Sequence, residues 1–134
     1  MEVRMQVVAT HHIAVFTNQF EVMERFYSQT LGFPVTKRWD DVSIIFIDVG
    51  STTIELCGRA AKDGQQGPHP VGEGIGFNHL ALGVADVDQA FQELVDLGVN
   101  ILSGPRNFQD VRIAFFSDPD GNPLELVGPP SNES

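Results

Sequence analysis

The alternation of apolar and polar positions along the chain predicts one series of elements, and this series occurs twice. In the first half, stretches rich in Val, Ile and Phe predict strands over residues 7–17, 42–49 and 52–57. Apolar residues recur with helical spacing from a cap at Asn18 to a stop at Gly32, and Phe33 begins a further strand. The first half is therefore predicted to be βαβββ.

The second half repeats this order. Asp86 is a good N-cap, and an apolar stripe follows it with helical spacing as far as Gly98. Strands are predicted over residues 76–84, 99–102, 111–117 and 124–127. The dense turn sequence 118–123 separates the last two strands.

The length of 134 residues suits a single α+β domain that contains both halves. We expect module 1 over 7–58, a Gly- and Pro-rich linker over 59–74, module 2 over 75–128 and a frayed tail over 129–134. Because a half of this length is marginally stable alone, we expect the two modules to share a core.

Charge and cysteine content limit the function classes. The formal net charge of −10 argues against a nucleic-acid or anionic-membrane partner, since neither a phosphate backbone nor a headgroup would be attracted. Cys57 is the only cysteine, so no intrachain disulfide can form, and no apolar run approaches the roughly 18 residues of a membrane span. We expect a cytoplasmic protein that acts on a small molecule.

Each half carries one histidine and one glutamate at matched positions. His12 and His79 lie 79 − 12 = 67 residues apart, and Glu55 and Glu125 lie 125 − 55 = 70 residues apart. Strand alternation places each glutamate on the face opposite its two aliphatic neighbours. A lone histidine or glutamate in a strand is usually a solvated or hydrogen-bonded residue, but the matched recurrence of both favours a metal site. His11 is the competing ligand, yet its register matches Asn78 and not His79.

The donor set has a chemical meaning. Two neutral imidazoles and two carboxylates suit a divalent ion, with Ni²⁺, Co²⁺ or Zn²⁺ favoured over Fe²⁺ and Mn²⁺. Such an ion polarises a carbonyl as a Lewis acid, and a glutamate beside it can move a proton between adjacent carbons. The candidate lining of the site is Phe16, Phe46, Phe77 and Phe115 or Phe116, with Trp39 at the rim, although most phenylalanines in a chain of this length pack in the core. Arg106 or Arg112 could meet an anionic substrate, but solvation at the surface is expected for each. His69, in the linker, is expected to be solvated.

Several segments resemble the vicinal oxygen chelate (glyoxalase/bleomycin resistance/dioxygenase) superfamily. The similar segments are 11–15, 25–33, 77–81 and, most specifically, 118–126. The resemblance implies two tandem βαβββ modules whose curved sheets form a metal-binding cup. It also implies four metal ligands, which are His12, Glu55, His79 and Glu125.

In having a glutamate at both strand positions, the chain resembles the glyoxalase I branch of this superfamily. That branch implies a metal-dependent lyase or isomerase that acts on a 2-oxo or thiol-conjugated molecule through an enediolate, with Glu55 and Glu125 as proton-transfer bases. Phe16 and Arg59 stand where bacterial and animal glyoxalase I carry Arg and Asn, which favours a substrate other than a glutathione conjugate. The alternatives are a non-enzymatic small-molecule or antibiotic-binding resistance protein, and a metal-dependent dioxygenase or epimerase. A homodimer is expected, with the site inside one chain or shared between two.

Overall fold

The computed structural model describes residues 5–132 and divides into two compact units. The division falls between Asp63 and Gly64, inside the predicted linker. Each unit is a βαβββ module with an open four-stranded mixed sheet, as predicted.

In unit 1 the strands are β1 (Ile13–Thr17), β2 (Val35–Trp39), β3 (Ile44–Asp48) and β4 (Thr53–Gly58), and the helix is α1 (Phe20–Arg25). One π-helical turn, Phe26–Thr30, extends α1. The strand order is β1-β4-β3-β2, with β1 parallel to β4 and the other pairs antiparallel. The first and last strands of the module are therefore neighbours.

The core of unit 1 lies where the helical segment covers one face of the sheet. Alternation along β3 and β4 sends aliphatic side chains to this face, and the helix contributes large apolar residues. The side chains that are at least nine-tenths buried here include Met23, Phe26, Tyr27, Ile45, Ile47, Ile54 and Leu56.

Unit 2 repeats the plan with β5 (Leu80–Gly83), α2 (Val87–Asp96), β6 (Asn100–Phe108), β7 (Val111–Ser117) and β8 (Pro123–Gly128). Its strand order is β5-β8-β7-β6, and β5 runs parallel to β8. The carboxylate of Asp86 accepts the N–H of Gln89 at 3.1 Å, which confirms the predicted cap of α2. Gly98, with φ of +75°, lies just beyond the helix, as predicted for a glycine stop.

Some predicted boundaries are wrong for identifiable reasons. β1 and β5 begin at Ile13 and Leu80, later than predicted, because their partner strands start only at Thr53 and Pro123. β6 runs to Phe108 instead of ending near residue 102, since register shifts let the strand continue through its Gly-Pro step.

Two further local predictions are corrected. Gln19, not Asn18, is the N-cap of α1, and its N–H donates to the Thr17 hydroxyl at 3.0 Å. The tail is held at Ser131, whose backbone N–H and C=O both bond to the side-chain amide of Asn107. The prediction of a frayed tail is therefore wrong at Ser131, and residues 133–134 lie outside the described part of the chain.

The segment that leads into β5 is folded back on itself. The ring of His69 packs against Gly74, so closely that a Cβ at this position would overlap the ring, and Gly74 also has φ of +78°. His69 is half-buried instead of solvated. Within residues 5–132, no helix is long and apolar enough to cross a membrane.

Asp118 organises the turn that positions β8. Its carboxylate is buried and accepts the N–H groups of Asp120 and Asn122 at 3.0 and 2.9 Å, and the Asn122 amide at 2.8 Å. Asp118→Ala leaves these donors without their acceptor, and we expect it to lower the free energy of unfolding by about 2–3 kcal/mol. Urea denaturation measures this loss. Asp110→Ala, in the exposed β6–β7 turn, should change stability by less than about 0.5 kcal/mol, and equal effects of the two variants would contradict the assignment.

Candidate functional site

In unit 1 the parallel pairing of β1 with β4 brings His12 to Glu55. Ala14 lies directly opposite Glu55, and His12 is two residues before Ala14 in the chain. Because side chains two residues apart share a face, His12 and Glu55 lie on the same side of the sheet. The distance from His12 Nε2 to Glu55 Oε1 is 3.7 Å.

Unit 2 builds the same arrangement. Ala81 lies opposite Glu125 in the β5–β8 pair, and His79 stands two residues before Ala81. His79 Nε2 lies 3.1 Å from Glu125 Oε1. The structure therefore pairs the four predicted residues as two equivalent His–Glu pairs, one in each unit.

The two glutamates lie on the face opposite the helices, as strand alternation predicts. Their aliphatic neighbours on β4 and β8 are almost completely buried in the core. The carboxylates themselves are only partly accessible, with side-chain exposure of 18% for Glu55 and 13% for Glu125. A partly desolvated carboxylate beside an imidazole is stabilised by a cation or a proton.

An aromatic ring stands next to each pair. Phe46 pairs with Glu55 across β3 and β4, and Phe115 pairs with Glu125 across β7 and β8. Each ring makes an edge contact with the histidine of its own pair, at centroid distances of 6.2 and 5.2 Å. Phe116 points the other way into the core, so Phe115 is the site-facing member of the predicted alternatives.

The residue before each histidine bonds to the histidine ring, which sequence reasoning missed. Asn78 Oδ1 lies 2.8 Å from His79 Nδ1, and His11 Nδ1 lies 2.8 Å from His12 Nδ1. The signal for this role is the repeat itself, since His11 and Asn78 occupy matched positions. Metal-binding histidines are commonly oriented in this way through the ring nitrogen that faces away from the metal.

The bonds of Asn78 determine the tautomer of His79. The Asn78 amide nitrogen donates to the carbonyls of Pro70 and Glu73 at 2.9 and 3.1 Å, which leaves Oδ1 as the acceptor toward His79. The neutral His79 ring must then carry its proton on Nδ1. In this tautomer Nε2 carries no proton and faces Glu125 Oε1 at 3.1 Å, so a metal ion or a proton between the two atoms would satisfy both.

Cys57 extends the unit 1 site along β4. Its buried thiol donates to Glu55 Oε1 at 3.3 Å, and burial together with this hydrogen bond raises the pKa of Cys57 to about 11. The thiol therefore stays protonated at neutral pH and acts as a donor, which makes it a poor nucleophile.

Arginine positions differ from the predicted lining. Arg59 places its guanidinium 4.5 Å from the ring centroid of Phe16, so the two residues that depart from glyoxalase I contact each other. Arg112 is buried and forms a bidentate pair with Asp88 of α2, at 2.8 and 2.9 Å, on the helix-covered face. The expectations that Arg112 is solvated or meets a substrate are therefore wrong.

The remaining predicted lining residues divide by exposure. Trp39 ends β2 beside Phe46, at a ring-centroid distance of 5.1 Å, while Phe77 is fully exposed. Arg106 is exposed and lies over the ring of Phe108.

Each unit offers two donors to a metal ion. In the part of the chain that the structure describes, no three His, Cys, Asp or Glu side chains are grouped as ligands of one ion. The chemistry of each pair nevertheless fits a transition metal, because an imidazole Nε2 and a carboxylate oxygen lie side by side, 3.7 Å apart in unit 1 and 3.1 Å apart in unit 2. Four protein ligands would require both pairs.

The chain belongs to the Glyoxalase/Bleomycin resistance protein/Dioxygenase superfamily, whose sequence model matches residues 9–126. The protein YwkD of Bacillus subtilis is 34% identical over 91% of this chain and 98% of its own length. The 2-epi-5-epi-valiolone epimerase of an Actinomyces species is 30% identical over 92% and 81%, and the probable lactoylglutathione lyase of Synechocystis is 27% identical over 87% and 92%.

Solved structures show the same fold. The crystal structure of SMU.1112c has a TM-score of 0.76 and 29% identity, and the match covers 91% of this chain and 99% of that chain. TnmS3, an antibiotic-binding protein from Streptomyces, has a TM-score of 0.73 and 26% identity over 94% of this chain and 99% of its own. The superfamily thus includes proteins named as enzymes and a protein named as a binder.

The hydrogen bond from Asn78 gives a testable consequence for metal affinity. Asn78→Ala removes the acceptor that holds His79 in the Nδ1–H tautomer, and we expect metal affinity to fall about 10- to 100-fold. Competition with a chromophoric chelator measures the affinity, and ¹⁵N NMR of the imidazole reports the tautomer. Asn78→Asp keeps an acceptor and should retain most of the affinity. An Asn78→Ala variant with unchanged affinity and unchanged His79 tautomer would contradict the assigned role.

Proposed function

We propose that this protein is a divalent-metal-dependent lyase or isomerase of glyoxalase I type. The observation that carries the proposal is the pair of His–Glu sites built in the same strand register in both units. Duplicated residues that only filled space would not need matched polar chemistry. The named lyase and epimerase among the relatives support an enzymatic role.

We propose that His12, Glu55, His79 and Glu125 hold one ion, Ni²⁺, Co²⁺ or Zn²⁺, with Fe²⁺ or Mn²⁺ as weaker candidates. The four ligands come from one chain or from two chains of a homodimer. When bound, the ion would supply Lewis-acid polarisation of the substrate carbonyl.

The protein's own residues then carry the proton. One glutamate of the set, Glu55 or Glu125, removes the proton from the hydroxyl-bearing carbon next to the carbonyl, which yields an enediolate of the substrate. The same carboxyl group returns that proton to the former carbonyl carbon, and the hydroxyl proton passes to the other oxygen, so that the reaction is an isomerisation with no external oxidant or reductant. Phe46 and Phe115 limit access of water to this region, because each ring lies directly beside its glutamate in the sheet.

We propose a 2-oxo or thiol-conjugated small molecule as substrate. Arg59 holds its guanidinium 4.5 Å from the ring centroid of Phe16, so this strand end carries a positive charge. Because the charge comes from residue 59 and not from residue 16, its position differs from the glyoxalase I pattern, which supports a thiol or carbonyl partner other than glutathione.

A second candidate function is non-enzymatic binding of a small molecule. The likeness to TnmS3 supports it, because that protein is named as an antibiotic binder and is 26% identical over nearly the whole chain. The two intact His–Glu pairs favour the enzyme, since binding alone does not call for them.

Replacing a proposed base separates chemistry from metal binding. We expect Glu55→Gln and Glu125→Gln to reduce isomerase turnover, with at least one of them losing about 100-fold or more, because an amide cannot accept the proton. Metal content, measured by elemental analysis, should persist because the amide oxygen still coordinates. Glu21→Gln, on the exposed side of α1, is the matched control and should keep full turnover. Normal turnover in both site variants would rule out the proton-transfer role.

A thiol panel tests the substrate class. Methylglyoxal hemithioacetals made from several low-molecular-weight thiols, glutathione among them, are supplied to the metal-loaded protein. We expect turnover with at least one thiol and a kcat/KM for glutathione that is about tenfold or more below the best. Absence of turnover with every thiol, while the metal stays bound, would contradict the lyase and favour the binder.

A further inference from the structure

Lys37 lies in one cross-strand row with the unit 1 glutamate. Lys37 on β2 is opposite Phe46 on β3, Phe46 is opposite Glu55 on β4, and Glu55 is opposite Ala14 on β1. Directly paired residues in neighbouring strands point to the same face of a sheet. Backbone register alone therefore places the lysine on the face that carries His12 and Glu55.

The ammonium group of Lys37 rests on aromatic rings. Its Nζ lies 4.6 Å from the ring centroid of Trp39 and 5.7 Å from that of Phe46. Such contacts attract a cation weakly and leave its charge unneutralised. The rings restrict where the ammonium sits and keep it beside the His–Glu pair.

The neighbouring cation on the same strand behaves differently. Arg38 points to the opposite face and is paired with Glu24 at 2.7 Å and with Asp40 at 3.2 Å. Within residues 5–132, Lys37 has no carboxylate partner of this kind. In a chain with a net charge of −10, this lysine is thus a positive charge available to a ligand.

Unit 2 has no cation in the corresponding row; its exposed Arg106 is paired with Ile113, further along β6, and lies over the ring of Phe108. This row of unit 2 consists of Ala81, Glu125, Phe115 and, in the place of Lys37, Ser103. The alanine, glutamate and phenylalanine of the two rows match, and the fourth residue, Lys37 or Ser103, does not. Two equivalent His–Glu pairs do not distinguish the two ends of a substrate. A charge that is present in only one of the two rows would therefore set the orientation of the substrate.

We propose that Lys37 binds an anionic group of the substrate, a carboxylate or a phosphate, and directs that end of the molecule to unit 1 beside His12 and Glu55. The substrate class is then a small anionic carbonyl compound or an anionic thiol conjugate. This inference rests on the proposed metal-dependent function, which it deepens. Strands in a sheet are about 4.8 Å apart, so the backbones of Lys37 and Glu55 are separated by about 10 Å. The anionic group must therefore be linked to the chelating end by a spacer.

Hydroxamates provide a matched set of probes, because they chelate a metal as an enediolate does. Co²⁺-loaded protein is titrated calorimetrically with acetohydroxamic acid, which has no carboxylate, and with the monohydroxamates of malonic, succinic and glutaric acids. We expect the best of the three to bind about fivefold or more tightly than acetohydroxamic acid, as befits one partly exposed ion pair. This advantage should shrink as salt is raised.

Variants at two neighbouring positions show which side chain causes the tighter binding of the carboxylated probe. Lys37→Met should abolish the preference for the carboxylated probe while leaving acetohydroxamic acid binding unchanged. Lys37→Arg should keep the preference, because it keeps the charge. Arg38→Met is the matched control: it removes the same charge from the same strand on the other face and should keep the preference.

The outcomes separate this inference from the proposed function. If acetohydroxamic acid binds wild-type protein but no carboxylated probe has an advantage, or if Lys37→Met keeps the advantage, the anion-binding role of Lys37 is overturned. If Co²⁺ binds and no hydroxamate does, the proposed chelating chemistry fails, and the inference about Lys37 fails with it.

Discussion

The parallel pairing of the first and last strands in each module is the constraint on which the site depends. In both units an alanine of the first strand lies opposite the glutamate of the last, and the histidine stands two residues earlier. A shift of this register by one residue would send the glutamate into the core and its aliphatic neighbours to the other face. Core packing and site geometry are therefore fixed by the same hydrogen-bond register.

This constraint explains why the repeat extends beyond the four proposed ligands. Once the register is fixed, the residue before each histidine and the residue paired with each glutamate also occupy equivalent positions. His11 and Asn78 bond to the histidine rings, and Phe46 and Phe115 pair with the glutamates across the strands and contact the histidine rings. The differences between the units then carry functional information. The clearest of them is Lys37 in unit 1, where unit 2 has Ser103 at the equivalent position.

Much of the fold and the pairing inside each unit could be predicted from sequence. Strand alternation placed Glu55 and Glu125 on the open face, and register with Asn78 selected His12 over His11. The repeat marks His11 and Asn78 as matched positions, but their bonds to the histidine rings could not be predicted, because they are made just outside the strands and depend in part on the linker carbonyls of Pro70 and Glu73. The burial of Arg112 was missed because its partner Asp88 is distant in sequence. The meeting of the two His–Glu pairs at one ion stays a prediction.

The number of metal ions bound per chain tests that central claim most directly. Calorimetric titration of metal-free protein with Ni²⁺ should give one ion per chain, whether the site lies within one chain or between two. In His79→Ala and in His12→Ala the affinity for this single ion should fall strongly, because the ion takes ligands from both His–Glu pairs. Two ions per chain in the wild-type protein, with one retained at full affinity in either variant, would contradict a shared site and show that the two pairs act separately.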